Sequence, residues 1–222
     1  VSIIKDPYYS RSEVSNSDLG ALEKYFERDA FTIDLTAAFR FGSLLDAMIT
    51  EPEQVDYFKM TVAGEPMPKD EFVKAGIMKA KFFADPMCKH LASISEMQKV
   101  TIKHDFEICY EGINFKLDMR AKWDFFVKDI DMSGDLKTTA STTQKQFEDS
   151  ISHYNYDRQA ALYMDLEGKT NFIFLGISKT APHKIFKVPV KKGSPIYNAG
   201  KAKYQELAWR YFYLFGDLSK IS

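Results

Sequence analysis

Apolar residues recur at helical spacing early in the chain. Leu19, Leu22, Tyr25 and Phe26 share one face behind Ser17, which predicts a short amphipathic helix capped by that serine. The same period returns from about Thr36 to Ile49, with Phe41, Leu44, Leu45 and Met48 on the apolar side and Glu51-Pro52 as the stop. Residues 53–70, with Gly64, Pro66 and Pro68, read as loop. Helical pattern resumes over 69–84, breaks at Asp85-Pro86 and continues to about Ser95. From Gln98 the period falls to two. Val100, Ile102, Phe106, Ile108 and Tyr110 predict a strand, Glu111-Gly112 a hairpin turn, and Phe115 to Phe126 the returning strand, irregular around Arg120. A polar turn from Lys128 to Ser133 leads into a short strand, Gly134 to Thr139. Residues 144–167 predict one long helix closed by Gly168. Strands at 170–178 and 184–190, joined at Ala181-Pro182, precede a last helix over roughly 195–215.

Helices, three strands, a helix, two strands and a helix in that order predict an α/β fold with a mixed central sheet flanked by helices. One domain is expected over 1–222: a helical part at 1–95, a sheet and helix at 96–190 and a C-terminal helix at 191–222. Within the first part, residues 1–16, with Tyr8 and Tyr9, are expected to form an ordered polar arm. Composition agrees with a globular chain, being 45% hydrophobic and 27% charged over 222 residues. No apolar run approaches the ~20 residues of a membrane span, and no signal-peptide pattern opens the chain, so a cytoplasmic protein is expected. Thirty Lys+Arg against thirty-one Asp+Glu give a formal charge of −1. That argues mildly against a nucleic-acid binder without excluding one, because only the local field counts. Two cysteines, Cys88 and Cys109, fit no zinc pattern and cannot make a four-cysteine iron–sulfur site. Any metal chemistry must therefore come from oxygen ligands.

The informative segment is Trp123-Asp124 followed by Gly134-Asp135-Leu136-Lys137-Thr138-Thr139. Asp135 and Lys137 lie two apart on a predicted strand and share a face. Asp124 sits near the end of the preceding strand, so an antiparallel hairpin sets two carboxylates side by side. They repel unless a cation lies between them, and hard oxygen ligands suit Mg²⁺ or Mn²⁺. Asp118 competes for the role of Asp124 but lies further from Asp135 along the hairpin. A lone D-x-K on a strand is common. The following helix sharpens it, because Gln159 and Tyr163 are four apart on one face and can hold a phosphate or a water.

These residues together resemble the RecB-like branch of the PD-(D/E)XK nuclease superfamily, most closely phage and prophage exonucleases of the exonuclease VIII (RecE-like) type. Ser15 to Leu19 resembles the opening helix, and Phe41 to Asp46 the G-x-x-x-H helix. Lys122-Trp123-Asp124 stands at the first catalytic aspartate, Gly134 to Thr139 at the D-x-K core, and Tyr156 to Tyr163 at the Gln/Tyr helix. Phe172 to Val188 stands at the closing strand pair. One position departs: Asp46 stands where the family carries histidine. The resemblance implies a restriction-endonuclease-like αβββαβ core. It implies metal held by Asp46, Asp124, Asp135 and the backbone carbonyl of Leu136, with Glu107 as a further candidate. Catalysis would fall to Asp124, Asp135, Lys137, Gln159 and Tyr163.

The activity so implied is Mg²⁺-dependent (or Mn²⁺-dependent) exonucleolytic hydrolysis of linear duplex DNA, 5′-to-3′, in phage-type recombination. A single-strand annealing protein and a homo-oligomer are the implied partners, and no iron–sulfur cluster is implied. Two alternatives stay open: a silent nuclease fold that binds DNA or a protein partner, with Asp46 as the mark of decay, and an endonuclease with the same metal site. Basic residues gather at Lys184, Lys187, Lys191, Lys192, Lys201 and Lys203, and again at Lys79, Lys81 and Lys89, either group a candidate DNA path.

Overall fold

A computed structural model describes residues 7–27 and 36–217. After a 3₁₀ turn at Pro7–Ser10 come α1 (Asn16–Glu27) and α2 (Thr36–Thr50). Three two-residue strands follow, β1 (Val55–Asp56), β2 (Thr61–Val62) and β3 (Glu65–Pro66), and then α3 (Lys69–Ala84) and α4 (Pro86–Ile94). The main sheet is built from β4 (Glu96–Tyr110), β5 (Ile113–Phe126), β6 (Ser133–Thr139), β7 (Asn171–Ser178) and β8 (Ile185–Lys191). Between β6 and β7 the chain forms α5 (Gln144–His153) and α6 (Tyr156–Glu167), and it closes with α7 (Pro195–Phe215). No helix among the described residues is long and apolar enough to cross a membrane.

The main sheet runs β4-β5-β6-β7-β8, antiparallel except for the parallel β6–β7 pair that the α5–α6 crossover creates. It is the mixed, helix-flanked sheet the sequence predicts. Strand alternation divides two cores. Phe172 and Phe174 pack with Trp123 and Phe126 under α6 and α7, while Ile173, Leu175 and Ile177 pack with Phe125 and Leu136 under α2, α3 and α4. Helix α6 packs against both the sheet and α7, which also reaches the sheet directly, and is buried along nearly its whole length. A Cβ at Gly200 would stand 2.0 Å from the carbonyl oxygen of Asp157, so only glycine lets α7 approach the start of α6 this closely.

Local departures from the sequence reading have local causes. Residues 144–167 are two helices, because Asn155 takes a left-handed conformation (φ 55°) and its amide donates to Glu23 at 3.0 Å. Asparagine is one of the few residues that visits that region readily, so the chain turns there without interrupting the apolar period. Helix α1 is capped by Ser15, not Ser17. The Ser15 hydroxyl accepts from the Asp18 N–H at 3.3 Å, and the Asp18 carboxylate accepts from the Ser15 N–H at 2.8 Å, a reciprocal capping box. The expected loop at 53–70 contains the small antiparallel sheet β1-β2-β3. The irregularity of the long hairpin lies in β4, between Lys103 and Phe106, where Asp105 has φ 49°, and not at Arg120.

Arg120 instead secures the polar arm. It donates to the Arg11 carbonyl at 2.9 Å, pairs with Asp18 at 3.0 Å and lies over the Tyr8 ring at 4.9 Å. Val14 adds a parallel bridge to Met119. The described part of the arm, from Pro7 onward, is thereby ordered as expected; residues 1–6 lie outside the described residues.

Candidate active site

The site begins where β5 and β6 part. Their ladder consists of Phe125↔Gly134 and Phe126↔Ser133, and the next step would set Asp124 opposite Asp135. There the strands splay, and the Leu136 N–H donates to the Asp124 side chain at 2.7 Å instead of to a ladder carbonyl. The N–H and C=O of one strand residue point the same way, so the Leu136 carbonyl faces the same gap. Strand β6 can splay while staying flush with β7 because of Gly134, where a Cβ would meet the Ile173 carbonyl oxygen at 2.7 Å.

Asp135 is almost fully buried at 4% exposure, and its two oxygens have different partners. Oδ1 accepts from the Gln159 amide at 2.5 Å. Oδ2 accepts no hydrogen bond of good geometry, although the Lys137 ammonium stands 2.5 Å away as an ion pair. Lys137 also lies over the Tyr156 ring at 4.8 Å. Burial works against its charge, but the carboxylates of Asp135 and Asp124 outweigh that and hold Lys137 protonated well past its ordinary range.

Helix α2 carries Asp46 to the same cavity. Its carboxylate accepts from the Gln98 amide at 3.1 and 3.3 Å and from the Thr50 hydroxyl at 3.2 Å. Gln98 reaches it from within β4 through a left-handed backbone, φ 53°. Burial, then the charge of Asp135, pushes Asp46 up to about 6. Asp124 is driven well above the carboxylate range by burial and by both other aspartates. Burial, followed by the nearby Tyr8 and Asp135, raises Tyr163, which keeps its phenol neutral and able to donate.

The three aspartates, Lys137, Gln98, Gln159, Tyr156 and Tyr163 line one cavity of about 860 Å³. Asp46, Asp124, Asp135, Leu136, Lys137, Gln159 and Tyr163 meet there, as the sequence reading requires. Two candidates do not. Glu107 is exposed on the far half of the β4–β5 hairpin opposite Lys116, away from the cavity lining, and Asp118 is exposed beside His104. The basic groups are elsewhere too: Lys187 pairs with Asp85, Lys192 and Lys201 with Asp165, and Lys203 with Asp157. Among the described residues, the lysines that line the cavity are Lys122 and Lys137.

Residues 15–212 match the family described as a PDDEXK-like domain of unknown function (DUF3799). The chain belongs to that family. Its fold is shared with a solved structure of a proposed exonuclease from Eubacterium rectale, at 17% identity and TM-score 0.65, covering 95% of this chain and 85% of that one. A phage-related exonuclease from Haemophilus somnus 129PT (10% identity, TM-score 0.39, 89% of this chain and 81% of that one) also aligns. So does an alkaline exonuclease from Laribacter hongkongensis (13% identity, TM-score 0.32, 91% of each chain). At those TM-scores neither carries weight. No curated protein matches.

For a PDDEXK-like domain, the donors present fit a hard divalent cation in kind. They are all oxygen, three carboxylates face one cavity and repel one another, and one buried oxygen of Asp135 accepts no hydrogen bond. They are not drawn into a finished cage. Among the described residues no three His, Cys, Asp or Glu side chains form a ready-made metal cluster. Sequence reasoning missed Glu51, Gln98 and Lys122 as cavity residues. A Glu or Gln in a helix-end turn or a strand carries no signal of its own; only the placement of α2 against β4 and β5 makes them neighbours.

Proposed function

We infer that this PDDEXK-like domain is a Mg²⁺-dependent deoxyribonuclease, an exonuclease acting on linear DNA in the manner of exonuclease VIII-type enzymes. The observation that carries this reading is the meeting of Asp124, Asp135, Lys137 and Gln159 with Asp46 at the β5–β6 splay, inside a cavity open to solvent. Duplex ends as substrate, 5′-to-3′ polarity, a recombination role beside a single-strand annealing protein, a homo-oligomer and a cytoplasmic location extend the proposal by family likeness.

Asp124, Asp135, the Leu136 carbonyl and Asp46 would hold Mg²⁺ (or Mn²⁺). Bound there, the ion would acidify a water and polarise a phosphoryl oxygen. The chain's own residues do the rest. Lys137, kept cationic beside Asp135, is placed to orient the attacking water by donation and to offset charge gathering on the phosphate. Gln159 fixes Asp135 through Oδ1 and leaves Oδ2 to Lys137, with no hydrogen bond of good geometry. Tyr163, neutral and donating, stands ready to position a phosphate oxygen. The side chains of this set would meet the phosphodiester, and contacts to a phosphate carry no sequence information. Specificity would then be for the form of the DNA, a duplex end or a single strand, rather than for a base sequence.

The test is digestion of end-labelled linear DNA beside the same DNA as a closed circle, with Mg²⁺, Mn²⁺ or EDTA. Loss of the linear form alone, and only with metal, is the expected result. Cutting of the circle would make the protein an endonuclease. DNA retention without degradation in either metal would favour a silent binding module.

A further inference from the structure

The mouth of the cavity is ringed by aromatic side chains that the sheet does not need for packing. Tyr9 from the 3₁₀ turn, Phe39 from α2 and Tyr154 from the α5–α6 junction all line it, and they are 57%, 62% and 59% exposed. They come from three separate segments. Tyr154 continues inward through Tyr156, ring centroids 5.6 Å apart, to the Tyr156–Lys137 contact at 4.8 Å. A path of ring faces therefore runs from solvent to the D-x-K lysine.

The charge of the cavity is the second observation. Among the described residues, four carboxylates (Asp46, Glu51, Asp124, Asp135) face two lysines, and neither arginine nor histidine lines the wall. Lys137 stands against Asp135 at 2.5 Å and Lys122 against Glu51 at 3.8 Å. A duplex is gripped mainly through its phosphates by an excess of cations; three of these carboxylates are the proposed metal ligands, and the two lysines each already face a carboxylate, so even with the ion bound the described wall offers no such surplus. Flat aromatic faces offer what the charges do not, since any base stacks on them whatever its identity. Paired bases hide their faces in the helix. An unpaired nucleotide presents them.

We propose that the aromatic mouth of Tyr9, Phe39 and Tyr154 is a binding site for unpaired nucleotides, so that the strand entering the cavity is single-stranded DNA: an overhang or a frayed end. This rests on the nuclease reading and adds to it the form of the substrate. Binding at the mouth is sequence-tolerant and less salt-sensitive than phosphate-dominated binding.

Fluorescence anisotropy tests it, with a labelled oligothymidylate and a labelled blunt hairpin of equal length, in Ca²⁺ and without Mg²⁺. The oligothymidylate should bind at least tenfold more tightly than the hairpin. Tyr154→Ala and Phe39→Ala should each weaken it roughly five- to tenfold, and Tyr154→Phe should retain it. Both side chains project outward, and unchanged thermal melting of the variants establishes that they fold. Equal affinity for the hairpin, alanine variants that bind like the wild type, or no binding of the oligomer would overturn the proposal. Failure of the nuclease reading shows separately, as intact oligomer binding without Mg²⁺-dependent product.

Discussion

Asp135 is the most constrained residue of the site: buried, bonded by Gln159 at one oxygen and faced by Lys137 at the other. Its exchange for asparagine keeps the shape and removes the charge, and Lys137→Ala removes the cation. Both should lower turnover by at least about a thousandfold, or ~4 kcal/mol; melting should be unchanged or raised for Asp135→Asn, which relieves repulsion among the aspartates, and lowered for Lys137→Ala, which removes their counter-charge. Wild-type-like cleavage by either would remove the assignment. Asp46→His, which restores the residue the family pattern carries, should keep activity and shift its preference between Mg²⁺ and Mn²⁺; a metal titration of rate reads the change. The D-x-K pair was legible from sequence because a strand puts alternate residues on one face. Gln98 was not. Its role depends on a left-handed residue inside a strand and on a helix from fifty residues earlier, and neither leaves a local mark.

At the scale of elements, helix α6, which carries Gln159 and Tyr163, is fixed from two sides. Gly200 admits α7 against its start, and Asp165 ties its end to α7 through the Tyr197 and Tyr204 hydroxyls at 2.5 and 2.6 Å, with Lys192 and Lys201 at 3.3 and 3.0 Å. Burial alone would raise the Asp165 carboxyl, but the tyrosine and Lys201 hydrogen bonds outweigh it, and the net shift is downward. A depressed folded-state value gives stability that is complete above the ordinary carboxylate range and is lost as pH falls through the lowered value. Asp165→Asn should therefore cost about 2 kcal/mol at neutral pH and flatten the acid limb of the stability curve below about pH 4. Chemical denaturation at several pH values measures both. The existence and order of the helices and main strands followed from apolar period alone. The division of 144–167 did not, because one left-handed asparagine redirects the chain without disturbing that period, and the small β1-β2-β3 sheet is too short to show alternation.

For the molecule as a whole, a net charge near zero conceals an uneven distribution. Lys187, Lys192, Lys201 and Lys203 are tied to the carboxylates of Asp85, Asp165 and Asp157, and the described cavity lining is left with more acid than base. The sequence placed the acids correctly along the chain. It could not say that Glu107 lies on the wrong half of a long hairpin or that the basic clusters miss the cavity, because both depend on where fifteen residues of β4 run relative to α2. The fold was legible because the sheet needs only the pattern. The cavity was partly legible because it needs the splay. What the account requires is that the three aspartates at this splay, uncomfortable in one another's company, share a divalent ion. Calorimetric titration with Mn²⁺, on the wild type and on Asp135→Asn, tests that most directly: saturable uptake by the wild type and at least tenfold weaker uptake by the variant are expected. Absence of uptake by the wild type, or equal affinity in the two proteins, would contradict it.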